Sequence, residues 1–257
     1  TIKNGEEYEV KDYTGTETEV IIPSTYKGKA VTSIGYNAFW SCTTVTDISL
    51  PNSLTDIKDY AFAGCSSLKN IKIPSGITVI NRCAFSGCIS LTNFEIPNGV
   101  TAIKQGAFAG CSSLTNIIIP DGVTSIGEGA FSGCYGLESI TLPFIGESAN
   151  ATKNTKLSYI FGTMPESLKK VILTKVTAIK NGEFYGCTSL TDVEIPSSVT
   201  SIGASAFAYC TSLTNIKIPS GVTSIGEDAF YNCNSLTDVE IPSSLTTLGE
   251  QVFDQCE

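Results

Sequence analysis

The chain has 257 residues and a formal net charge of −9. An acidic balance of that size excludes nucleic acid as a general partner, because phosphate binding needs a basic footprint. No apolar run approaches a membrane span, so no membrane insertion is expected within this segment; the absence of histidine removes the commonest general base.

Taken in chain order, residues 7–13 and 18–22 alternate apolar and polar on either side of a stretch containing Gly15. That pattern predicts a β-hairpin. Residues 1–30 are read as an N-terminal hairpin cap that covers an otherwise open core.

From residue 31 the chain repeats. Cys42, Cys65, Cys88, Cys111 and Cys134 are spaced 23 residues apart, as are Cys187, Cys210, Cys233 and Cys256. A phenylalanine precedes each by three positions, from Phe39 to Phe253. One unit reads Leu68, Ile71, Ile73, Pro74, Ile77, Ile80, Ala84, Phe85, Cys88. A fixed period of this length marks a leucine-rich-repeat solenoid. Alternation at Ile71 and Ile73 predicts a short parallel strand on the concave face, ended by Pro74, which cannot donate to a ladder. The Ile77 to Ile80 segment is read as a short strand or 3₁₀ piece. The Ala84 to Cys88 segment is read as about one helical turn on the convex side. No unit can bury its own apolar edge, so stacking supplies the core. With Phe161 counted, ten Phe positions imply about ten coils in one solenoid over 1–257.

The repeat is regular over 31–143 and 168–257. Residues 144–167 form an irregular coil whose Cys is lost and whose added residues, around 146–155, are polar and predicted to loop out. Asn150-Ala151-Thr152 matches a glycosylation acceptor, a short and common pattern. Residues 153–180 carry Lys153, Lys156, Lys169, Lys170, Lys175 and Lys180 against Glu166 alone, a basic island in an acidic chain. No C-terminal cap is visible after Cys256 and no signal peptide stands at Thr1, so the natural protein is expected to extend further, and the open end makes end-to-end association possible.

Nine of the ten cysteines share one repeat position and read as a reduced core ladder of small hydrophobes rather than a disulfide scaffold. Cys83 stands apart, at a position otherwise polar or small, as the expected exposed thiol. No P-loop, nucleophile elbow or Cys-x-x-Cys motif occurs, so no enzyme, cofactor or metal is expected. The outward strand positions are the candidate binding row. They are Asp47, Ser49, Asn70, Lys72, Asn93, Glu95, Asn116, Ile118, Ser139, Thr141, Lys170, Ile172, Asp192, Glu194, Asn215, Lys217, Asp238 and Glu240. Asp or Asn at the first position also serves as a local backbone hydrogen-bonder. An acid row would attract Ca²⁺, but Asn and Ser interrupt it. Trp40, Tyr185, Tyr209 and Tyr231 lie near the Phe-to-Cys turn, where aromatics either overlay the core or contact a ligand.

The almost intact unit from Ile218 to Thr237 resembles the BspA-like subclass of bacterial leucine-rich repeats, and the resemblance covers nearly the whole chain. It implies an extracellular or surface-displayed protein of a host-associated bacterium. It also implies adhesion to a protein or glycan ligand on host or neighbouring cells. Two other readings stand beside adhesion: a module for acidic glycans using the lysine island and the aromatics, and a spacer that presents another domain.

Overall fold

A computed structural model of the protein describes residues 2, 3 and 6–256. The chain divides into two compact units, residues 1–137 with 160–163, and residues 138–159 with 164–257. Each is a parallel β-solenoid.

In the first unit the strands Glu19–Ile21, Asp47–Ser49 and Asn70–Ile71 pair in parallel as one row, and Asn116–Ile118 continues the series further along. A second row is made by Lys29–Ile34 with Asp56–Ile57, and by Val79–Ile80, Ala102–Ile103 and Ser125–Ile126. Side chains alternate along a strand, so Ile48 and Ile71 turn inward while Asp47 and Asn70 face out. Phe39, Phe62, Phe85, Phe108 and Phe131 are fully buried and stack with ring centroids 5.2, 5.4, 5.7 and 5.4 Å apart. Phe161 continues that column, 6.1 Å from Phe131, from the four-residue helix Ser158–Phe161.

The turn that carries Phe and Cys is not a helical turn. Each is bracketed by two left-handed residues, as at Asn37 (φ 56°) and Ser41 (φ 56°), or Cys83 (φ 51°) and Gly87 (φ 74°). A right-handed helix cannot run through such positions. The backbone instead closes tight turns, such as Trp40 N–H to the Asn37 carbonyl (2.9 Å) and Cys42 N–H to the Phe39 carbonyl (3.1 Å). It also pairs coil to coil, as in Phe62 N–H to the Ala84 carbonyl at 2.9 Å.

The N-terminal hairpin has other arms than the sequence indicates. Ile2–Lys3 pairs antiparallel with Glu7–Val10. The expected second arm does not fold back on the first: Glu7–Val10 pairs in parallel with Lys29–Ile34, and Glu19–Ile21 with Asp47–Ser49. Tyr13 stacks on Phe39 at 5.0 Å, and its N–H reaches the Ala38 carbonyl at 2.7 Å. Residues 7–23 therefore trace a degenerate coil, because stacking on the Phe column and both strand rows buries more apolar surface than a free two-stranded hairpin would. Glu9, paired with Lys58 and hydrogen-bonded by Ser33, pins it in place.

In the second unit, Ser139–Leu142, Lys170–Leu173, Asp192–Glu194 and Asn215–Ile216 pair in parallel, in the register Ser139, Lys170, Asp192, Asn215. Ser201–Ile202, Ser224–Ile225 and Thr247–Leu248 form the second row. Phe184, Phe207, Phe230 and Phe253 stack at 4.9, 5.1 and 5.4 Å.

The column thiols are spent on backbone. Cys65, Cys88 and Cys111 donate to the carbonyls of Phe39, Phe62 and Phe85 at 3.1, 3.3 and 3.2 Å. Burial pushes Cys65 and Cys134 up to about 12, which leaves them inert as nucleophiles. Cys83 is half-buried. A thiol reagent at neutral pH is expected to modify Cys83 in the folded protein and leave Cys88, Cys111, Cys134 and Cys210 untouched until denaturant is added. Mass spectrometry of tryptic peptides reads this out, and prior labelling of Cys111 would contradict the buried column.

Candidate interaction surface

The outward residues of the first strand row are arranged by the alternation that buries their neighbours. In the first unit Asp47 and Asn70 align, with Asn70 Nδ2 donating to Asp47 Oδ1 at 3.3 Å. The parallel register places two residues in this row that sequence reasoning missed. Glu19 lies beside Asp47, and Ile21, 79% exposed, beside Ser49. The signal was the Ile22-Pro23 ending, which matches the apolar-Pro ending of the later coils other than the one with Lys170–Leu173, where Thr174 follows.

Not every nominated residue lies on a strand. Lys72 and Lys217 fall just past the strands Asn70–Ile71 and Asn215–Ile216, and Asn93, Glu95, Asp238 and Glu240 lie outside any strand. The coil at Asn93 also departs from the others in its core. Phe94 stands where other coils have Ile or Val, and its ring meets Phe85 and Phe108 edge-on at 4.8 and 4.7 Å.

The row is also where the surface is concave. One open depression of about 540 Å³ runs over Asp47, Ser49, Asn70, Lys72, Asn93 and Glu95. Another of about 420 Å³, mostly apolar, lies between Asn93, Glu95, Asn116 and the 67% exposed Ile118, with Pro120 at its rim. In the second unit a depression of about 420 Å³ is lined by Asp192, Glu194, Asn215, Lys217 and Asp238. Ile172 is half-buried, as are Ser139 and Thr141.

The lysines do not share one role. Lys170 is ion-paired to Asp192 (3.0 Å) and to Glu194, whose carboxylates raise its pKa and spend its charge within the strand row. Lys180 donates to the carbonyls of Ala149 and Ala151 at 2.8 and 3.1 Å, tying down the polar insertion. Lys156 lies over the Tyr185 ring at 5.2 Å, beside Tyr209 and Tyr231, whose rings follow at 5.3 and 5.5 Å. Lys153, Lys169 and Lys175 are exposed. Trp40, 63% exposed, belongs to the first unit, away from these tyrosines in the chain.

Beneath the insertion lies a second feature that sequence reasoning missed. Glu183 occupies the place held by Ala61, Ala84 or Ala107 in other coils and is 3% exposed. Its Oε2 is sealed from solvent and has no hydrogen-bond partner. Burial pushes its carboxyl up to about 7, against the pull of the Lys180 backbone and ammonium. Among the described residues, no group of three or more Cys, Asp or Glu is placed to hold a metal ion, and no helix is long and apolar enough to cross a membrane.

The family description "BspA type Leucine rich repeat region (6 copies)" matches residues 32–157 and 154–257. Among solved structures, a leucine-rich repeat protein from Bacteroides ovatus is 30% identical over 93% of this chain and 84% of its own, with a TM-score of 0.45. The Treponema pallidum leucine-rich repeat protein is 26% identical over 84% of this chain and 87% of its own, with a TM-score of 0.58. A leucine-rich cell surface protein from Faecalibacterium prausnitzii is 27% identical over 100% of this chain and 90% of its own, with a TM-score of 0.40. No curated protein matches the chain significantly.

Proposed function

Because the chain belongs to the BspA-type leucine-rich-repeat family, we propose that it is a non-enzymatic interaction module. In this reading it acts outside the cell or on its surface and adheres to a host or neighbouring-cell macromolecule through the outward residues of the first strand row. The observation that carries this is the coincidence of concavity and variation. These two depressions lie over positions of the strand row whose outward side chains change from coil to coil, from Ser49 to Lys72, Glu95 and Ile118. A surface that repeats its scaffold and varies its outward side chains is how a solenoid presents a specific contact area. The apolar Ile118 beside Glu95 and Asn116 offers the mix of an apolar anchor with polar neighbours that protein contacts use.

The acidic-glycan reading is weaker on this geometry, since Lys170 is neutralised by two carboxylates and Lys180 is held by the insertion. Both readings are tested by binding of the protein to immobilised host matrix proteins and acidic polysaccharides at low and physiological salt. An Asn93→Arg/Ile118→Arg variant is expected to lose about tenfold or more in affinity for a matrix protein, about 1.4 kcal/mol, with unchanged circular dichroism. A Lys153→Glu/Lys156→Glu/Lys169→Glu variant is expected to bind as wild type. The reverse pattern, with steep salt dependence, would replace this reading by the glycan one.

A further inference from the structure

The insertion at 146–155 and the buried glutamate are departures from the repeat that meet in space. Pro143, Ile145, Asn150, Lys175, Lys180 and Glu183 line a cavity of about 140 Å³. The insertion is closed on itself by Glu147 N–H to the Asn154 carbonyl (2.9 Å) and by Asn154 Nδ2 to Glu147 Oε2 (3.0 Å). Its anchor to the coil below is Lys180, through the carbonyls of Ala149 and Ala151. Glu183 follows Lys180 by three residues, and its backbone carbonyl accepts the Leu157 N–H at 2.8 Å, which fixes the C-terminal end of the same irregular stretch.

We propose that Lys180 and Glu183 form a proton-controlled latch on this loop. With Glu183 neutral, Lys180 holds the loop through the two carbonyls. With Glu183 ionised, the ammonium leaves the carbonyls for the carboxylate and the loop is freed. The physical reason is that Oε2 is sealed and partnerless, so a negative charge there must recruit a donor, and a buried charge is tolerated only when paired. The charged groups around it are few. Lys180 and Lys175 line the cavity, Glu147 is engaged with Asn154, and Lys156 lies over Tyr185. The cavity gives the lysine side chain room to swing. Burial of Glu183 places the change near neutral pH, from a locked loop on the acid side to a mobile one on the basic side. The strand row is not involved, so this inference and the adhesion reading stand or fall separately.

The test is ¹⁵N relaxation of the folded protein at about pH 5.5 and about pH 8.5. Wild-type order parameters for residues 148–152 are expected to fall from about 0.85 to below about 0.6 on going to the basic side. Glu183→Gln should keep the loop ordered at both pH values, and Lys180→Met should leave it mobile at both. Lys175→Met should behave as wild type. A wild-type loop equally ordered at both pH values would overturn the latch. So would a pH effect that survives Glu183→Gln, or one abolished by Lys175→Met.

Discussion

Glu183→Gln is expected to make the protein more stable at pH 8 than wild type, and to leave stability at pH 4 nearly unchanged. The carboxyl is pushed up by burial from 4.5 to about 7 in the folded state. A group whose folded pKa is raised binds its proton more tightly when folded, so its contribution is fully present below the unfolded pKa and is lost as pH rises through the folded one. Between pH 4.5 and 7 the wild type therefore gives up roughly 1.4 kcal/mol per pH unit from this residue, reaching a plateau of about 3 kcal/mol. Glutamine has the same shape and no charge to bury, so that slope disappears. Guanidinium denaturation across pH 4–9 measures it, and wild type and variant should run parallel below about pH 4.5 and above about pH 7 and diverge between them. Identical slopes for the two proteins between pH 4.5 and 7 would show that Glu183 finds a donor when it ionises without cost.

Glu183 also marks where sequence reasoning stops. A period of 23 residues, with Phe, Cys and Pro at fixed places, made the solenoid legible because those positions have a single physical job: filling the core or ending a strand. The second left-handed residue of each turn was legible in principle too, since Gly64, Gly87, Gly110, Gly133 and Gly186 occupy it. Tyr209 (φ 63°) and Asn232 (φ 57°) take the same conformation without glycine, because the coil-to-coil backbone bonds dictate it. The first coil escaped notice because Tyr13 replaces Phe and no Cys follows, so alternation alone suggested a free hairpin. The pairing of Lys170 with Asp192 and Glu194 was hidden for a different reason. They are about one repeat apart in the chain, and only the parallel register makes them neighbours. A basic island read along the chain is thus partly dissolved by acids contributed by the next coil. For Glu183 the clue was its place in the Ala column, but a column position shows burial and not whether a carboxylate there is partnered.

The column itself sets the largest expected loss. Phe108 is fully buried, stacked between Phe85 and Phe131 with interplanar angles of 10° and 5°, and touched edge-on by Phe94. Phe108→Ala removes the ring from every one of these contacts and leaves a cavity that the backbone ladder on both sides prevents from collapsing. The expected cost is about 3–5 kcal/mol. Phe253 has one ring neighbour, Phe230, at 5.4 Å, and is half-buried. Phe253→Ala should therefore cost well under half as much, about 1–2 kcal/mol, since less apolar surface is exposed and fewer ring contacts are lost. The deleted atoms are the same in both variants, so the difference reports the burial and ring contacts that a place inside the column adds. Chemical denaturation followed by circular dichroism supplies the two values. Equal losses would mean that stability resides in the coil-to-coil backbone pairing of the turns and not in the rings. A difference of about 2 kcal/mol or more would assign it to the shared column, in which each ring is stabilised by neighbours on both sides.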